Sequence, residues 1–308
     1  MKKLLLSILM VFTLFISCSK DSDNDVIKPN PPTPPTPPIT EDTKIPISII
    51  AQKADDSNGN FKSGDKVGLY VVNYNGSTAG VLAASGNQVN NIYFSYSGNW
   101  TPEKKIYWKD KSTKADLFCY YPYKSNISTI AAMPIAVSKN ESSEEDYKAS
   151  EFLWGKKTGI VPTESSINIT VQQAMSKLIV KLVPGSGYKE EDLNKAEVVI
   201  CGLKTNATIN LADGVVTSTD NPTDITPMNM KNSSEYHAFV VPQNVKKTDL
   251  IKVTIDKNTF LLNESIAFTS NKQYTCTITI DSSSQGISIG IAGWDIDDKD
   301  YGDQIHNI

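Results

Sequence analysis

Along most of the chain, apolar residues recur at every second position and turn formers interrupt them at short intervals. Val67, Leu69 and Val71 share one face of DKVGLYVV, and Ile167, Ile169 and Val171 share one face of SINITV. The same alternation returns at Ile251, Val253 and Ile255, at Tyr274, Cys276, Ile278 and Ile280, and at Ile287, Ile289 and Ile291. Period two predicts strands with one face on a core. Sustained helical periodicity is missing, and only KEEDLNK, residues 189–195, predicts a short helical connection. The pattern predicts an all-β chain arranged as β-sandwiches.

In INITVQQAMSKLIVKLV the apolar set changes parity. Ile167, Ile169 and Val171 are odd-numbered, Leu178, Val180 and Leu182 even-numbered, and Gln172 and Gln173 lie between them. The buried face changes there, through either a bulge or a crossing between two sandwiches. From about residue 44 onward the chain is longer than one ordinary core takes, which predicts two domains. The expected boundaries are 44–172 for the first sandwich and 173–308 for the second, which carries the acidic tail.

Residues 1–43 have a different character. Lys2 and Lys3, an apolar run from Leu4 to Ile16 and small Ser17 before Cys18 form a signal peptide, residues 1–17. At about thirteen residues the run is short of the roughly 20 that a spanning helix needs. LFISC resembles a bacterial lipoprotein cleavage box, with Phe15 where Leu is usual, and this makes Cys18 the expected lipidation site. Residues 18–43 are a tether. SKDSDND is acidic and resembles the signal that sends Bacteroidetes lipoproteins to the outer face of the outer membrane, and PNPPTPPTPP favours a polyproline II stalk of roughly 30 Å. A Pro-rich docking motif is the alternative reading of that stretch.

Composition narrows the chemistry. A net charge of -4 without a basic cluster argues against a nucleic-acid partner. All 30 basic residues are Lys, so bidentate Arg recognition of phosphate or carboxylate has no material. The only histidines are His237 and His306, which leaves almost nothing for a Ser-His-Asp or Cys-His arrangement. No carboxylate pair stands out for glycoside chemistry, and no catalytic residue, cofactor or metal site is expected. Cys119, Cys201 and Cys276 each sit in an apolar alternating stretch, as buried thiols do, and their spacing suggests no metal site. GISIGIAG has the wrong glycine spacing for a dinucleotide loop. In the tail, a calcium loop begun at Asp295 and Asp297 puts Lys299 where the fifth ligand belongs. Tyr93, Phe94, Tyr96, Trp100, Tyr107 and Trp108 are either core residues or a sugar-stacking platform, and alternation favours the core.

GDKVGLYVV, IYWKDKSTKADLFCYYPY, FLWGKK, QQAMSKLIVKL, YHAFVVPQ, SNKQYTCTITI and ISIGIAGW follow one another in an order that resembles Bacteroidetes fimbrillin and fimbrillin-like proteins, subunits of the type V pilus. The resemblance covers about 44–294, with Gln173 where the family often has His. It implies two transthyretin-like β-sandwiches and a non-enzymatic structural or adhesive subunit of a surface fimbria, exported as a lipoprotein and assembled with other subunits by strand donation. A monomeric glycan-binding surface lipoprotein is the alternative. It also implies a trypsin-like cut after the first strand. With KIPISIIA as that strand and QKADDSNGNFKSGD as an exposed loop, Lys53 is the expected cleavage site and Lys62 the second. The expected location is the outer membrane and cell surface.

Overall fold

A computed structural model describes residues 44–54, 60–231, 233–246 and 249–282, together with the backbone of 285–293. Cys18, the signal peptide, the tether and the acidic tail lie outside these residues.

In chain order the first strands are β1 Ile49–Lys53, β2 Lys66–Asn73, β3 Val89–Tyr96, β4 Trp100–Pro102, β5 Ala115–Tyr121 and β6 Met133–Ala136. Helix α1 Glu144–Ala149 follows, then β7 Leu153–Ile160, β8 Ile167–Gln173 and β9 Ser176–Pro184. After helix α2 Glu190–Leu193 come β10 Glu197–Leu203, β11 Asn206–Ile209, β12 Val216–Ser218, β13 Thr223–Ile225 and β14 Met228–Asn229. The last are β15 Glu235–Val240, β16 Gln243–Lys246, β17 Ile251–Ile255, β18 Asn258–Leu262, β19 Ser265–Phe268, β20 Lys272–Ile280 and β21 Gln285–Gly293. The chain is nearly all β, as the alternation predicts. KEEDLNK supplies α2. Helix α1 was not predicted, although Ser143 followed by three acidic residues is an N-terminal signal: its Oγ accepts from the Asp146 N–H at 3.0 Å.

The largest sheet has seven strands in the order β1-β8-β7-β5-β2-β3-β4. Its two edges meet. Ile47 N–H donates to Ile106 O, Trp108 N–H donates to Ile45 O, and the Trp100 indole donates to Ala51 O at 2.9 Å. One face of this sheet closes on a core of Val67, Leu69, Phe94, Leu117, Ile169 and Val171. The other face brings Tyr70, Val72, Phe118 and Tyr120 into a second core that continues to Ile280. Strands β2 and β5 are therefore covered on both sides, which departs from the expectation of one buried face per strand. Alternation disappears where both faces meet side chains.

The chain leaves the seven-stranded sheet after Gln173 and enters a five-stranded one, β14-β15-β9-β20-β21, at Ser176. Buried Ala174 and Met175 form the link, which accounts for the change of parity there. Strand β6 pairs with β11 across a wide sequence separation, in a three-stranded sheet with β12. The remaining strands form β13-β10-β17-β18 and the pair β16-β19.

Candidate functional site

The first strand and the hollow beside it gather the groups with the least ordinary surroundings. Strand β1 runs parallel to β8, with Ile49 opposite Ile167, Ala51 opposite Ile169 and Lys53 opposite Val171. Ile47, Ile49 and Ala51 point inward. Continuing that face, Lys53 turns its ammonium onto Glu151 and donates to both carboxylate oxygens, at 2.9 and 3.0 Å. Only 7% of the Lys53 side chain and 4% of the Glu151 side chain are exposed. The Gln173 amide nitrogen donates to Glu151 Oε1 at 3.0 Å.

These placements correct the picture of Lys53 in an exposed loop. The strand runs two residues further than KIPISIIA, because β8 offers backbone partners as far as Val171, and the Ala54 N–H still donates to Val171 O. Lys53 is held, whereas the Lys62 side chain is 70% exposed, in a turn closed by Asp65. Gln173 is likewise not part of a polar break. It stays on the buried face of Ile167, Ile169 and Val171, and that odd-numbered continuation was the sequence signal for its burial. Glu151 had no such signal, because it reaches the site through the turn that follows α1.

Lys53 and Glu151 also line a cavity of about 580 Å³, together with Lys62, Tyr147, Lys148 and Phe239. Tyr147 stacks on Phe239, with ring centroids 4.6 Å apart. Lys148 pairs with Asp65 at 3.2 Å, and the Tyr121 hydroxyl donates to the same oxygen at 3.1 Å. Beneath this layer, Glu141 has no exposed surface and accepts from the Phe239 N–H at 2.8 Å. Burial pushes its carboxyl up to about 8. His237 is buried as well and touches Glu235, with burial holding its pKa below the usual histidine range.

The other sequence candidates are placed as follows. Cys119 and Cys276 are buried free thiols, pushed up to about 12 by burial, and Cys201 is half-buried. Phe94 and Trp108 belong to the core. Of the half-buried rings, Trp100 packs on Phe61 and Tyr96, and Tyr93 packs on Tyr123 beneath the Lys66 ammonium. These rings meet one another edge-on or tilted, so they do not form a flat open platform.

A family model described as fimbrillin-like matches residues 53–294. A search of curated proteins gave no match. Among solved structures, a protein from Bacteroides uniformis described as a cell adhesion protein is similar at 19% identity and a TM-score of 0.66, over 83% of this chain and 100% of that one. A second, from Bacteroides ovatus and described in the same way, has 17% identity and a TM-score of 0.67, over 83% and 99%. The tip fimbrial protein Mfa3 from Porphyromonas gingivalis has 10% identity and a TM-score of 0.53, over 82% and 100%. At such identities the structural likeness is one of fold. The sequence match runs from the last residue of β1 to just past β21, and on that ground the chain belongs to the fimbrillin-like family.

Proposed function

We propose that this chain is a structural or adhesive subunit of a cell-surface fimbria, carried to the outer membrane as a lipoprotein acylated at Cys18 and joined to its neighbours by β-strand donation. The observation that carries this reading is the position of β1. It is a five-residue strand at a sheet edge, paired in parallel with β8 and filling a groove with Ile47, Ile49 and Ala51. An extended segment from a neighbour could take up the same backbone partners and the same alternating pockets. On the donor side, GISIGIAG forms β21 at the edge of the five-stranded sheet, where its backbone pairs with β20 from Gln285 to Gly293. Acyl chains on Cys18, each buried methylene contributing about 0.8 kcal/mol, would hold the tether to the membrane. A trypsin-like maturation cut belongs at exposed Lys62 rather than at Lys53, because a protease needs a strand it can reach.

The experiment compares cells with and without the protein by electron microscopy and labels them with a fatty-acid probe. Filaments that vanish with the gene or on deletion of residues 286–308, and acyl labelling that vanishes in Cys18→Ala, are the expected results. Labelling that survives Cys18→Ala would remove the lipoprotein part. Absence of polymers together with retention on polysaccharide would replace the fimbrial reading with a monomeric glycan-binding one.

A further inference from the structure

The buried pair at the end of β1 joins two parts of the chain that strand donation would separate. Lys53 is the last residue of β1, whereas Glu151 follows α1 and Gln173 ends β8, the strand that β1 is laid against. Along its inward face β1 offers Ile47, Ile49 and Ala51 and then, at the fourth alternate position, the Lys53 ammonium. That ammonium donates to both Glu151 oxygens, at 2.9 and 3.0 Å. Exposure of 7% for the Lys53 side chain and 4% for that of Glu151 leaves water little part in the pair. The Gln173 amide donates to Glu151 Oε1 at 3.0 Å, which fixes the carboxylate without neutralising it. The Tyr121 ring, from β5, lies 5.8 Å from Nζ and also favours a cation there. What stays in the sheet when β1 leaves is therefore a carboxylate set up for a cation and held by a neutral amide.

We propose that Glu151, held by Gln173, decides which segment enters the β1 groove: the neighbour's strand must carry a lysine at the fourth inward position, after three apolar residues at alternate positions. This rests on the strand-donation reading. A cut at Lys62 removes Lys53 together with β1, since both lie on the same side of the cut. The groove then opens and water reaches Glu151. A segment that refills it strips that water away again, and without a cation at this position the carboxylate is left buried and uncompensated. An isoleucine or glycine there completes the backbone ladder and still carries that cost. A segment seated two residues out of register keeps its apolar face inward but draws the ammonium away from the carboxylate, so the pair selects register as well as partner.

This requirement sorts the occupants. Strand β21 of this same chain, QGISIGIAG, contains no lysine, so in neither direction does it present one to Glu151. A second copy donating β21 is a poor match for the groove. The matching neighbour is a different subunit, with an extended segment that repeats the inward pattern of ISIIAQK, residues 47–53. Strand β21 stays available for the groove of another subunit.

The test uses the full chain with Lys62→Arg, which gives an Arg-specific protease one site in a sequence that has no other arginine. Cut while folded, this chain holds β1 by noncovalent contacts alone. Labelled synthetic peptides of residues 44–62 then compete for the groove, in mild urea to speed exchange, and fluorescence anisotropy reads their binding. The native peptide should enter, and the Lys53→Met peptide should bind roughly 100-fold more weakly, near the cost of one uncompensated buried charge. A peptide of residues 285–293 should displace neither. In a chain that also carries Glu151→Gln the order of the first two should reverse, because the ammonium is then the uncompensated charge. Should that chain fail to fold, the ranking on the chain that keeps Glu151 decides alone. Equal binding of the native and Lys53→Met peptides, or displacement by residues 285–293 at the strength of the native peptide, overturns the proposal and leaves strand donation standing. Entry of no peptide removes strand donation and the proposal with it.

Discussion

A carboxyl group without exposed surface is costly unless its surroundings compensate, and Glu141 accepts from the Phe239 N–H at 2.8 Å. Burial raises its pKa from 4.5 to about 8, with Ser150 and the Phe239 N–H opposing the shift only in part. Because the folded value lies above the unfolded one, the stabilising contribution is fully present below pH 4.5 and is lost as the pH rises through about 8. Glu141→Gln keeps an acceptor for the Phe239 N–H and removes the titration. The advantage of this variant over the parent in unfolding free energy should therefore grow between those two pH values, by roughly 2–5 kcal/mol in all. Urea titrations at pH 5 and pH 8 check it, and an unchanged difference between the two would show that Glu141 does not titrate in this window. Lys53 makes the converse point. Its charge is paired, and truncating Glu151 would leave it buried and alone, a loss of about 3–5 kcal/mol in comparable cases.

At the scale of elements, α1 and β7 show how local chemistry serves distant contacts. Ser143 caps α1, the helix delivers Glu151 to the end of β1, and β7 then carries Trp154 toward the turn at Leu211. The indole donates to Leu211 O at 2.9 Å and lies against Gly214. Gly214 adopts a φ of +79°, and a Cβ there would come within 2.7 Å of the Trp154 ring. Both features require glycine. Gly214→Ala should lower stability by about 1–3 kcal/mol through backbone strain and displacement of the ring. Denaturant melts read the loss, and the Trp154 fluorescence maximum should move with it. Equal stability with unchanged fluorescence would show that the turn and ring adjust freely.

For the molecule as a whole, the edge position of β1 sets the expected response to its removal. A chain beginning at residue 54 loses two buried isoleucines and a buried alanine from the core, roughly 5 kcal/mol of apolar burial. It also exposes the backbone groups of β8 that β1 had covered. A synthetic peptide of residues 44–53 should restore the melting temperature in a concentration-dependent way, as any ligand selective for the folded state does. A version with Ile47 and Ile49 changed to Asp should not. Restoration by both peptides, or by neither, would argue against an exchangeable strand.

Alternating positions were enough to predict an all-β chain and the inward faces of β8, β17 and β20, because period two reports which side of a strand is dry, and KEEDLNK was enough to predict α2. An ordered set of blocks was enough to suggest the family, which the match over 53–294 shows. Pairing in the sheets was not legible. That β1 lies against β8, that β6 joins β11 and that β2 and β5 are covered twice are decided between segments far apart in sequence, where local pattern carries no information. The same holds for the candidate site. Lys53 and Glu151 are unremarkable singly, and their local surroundings suggest solvent, while Gln173 continues the odd-numbered inward face of β8 without showing what it meets there. Only the parallel pairing of β1 with β8, and the turn after α1, bring an amine, a carboxylate and a carboxamide into one buried cluster, where each polar group depends on the others for its hydrogen bonds.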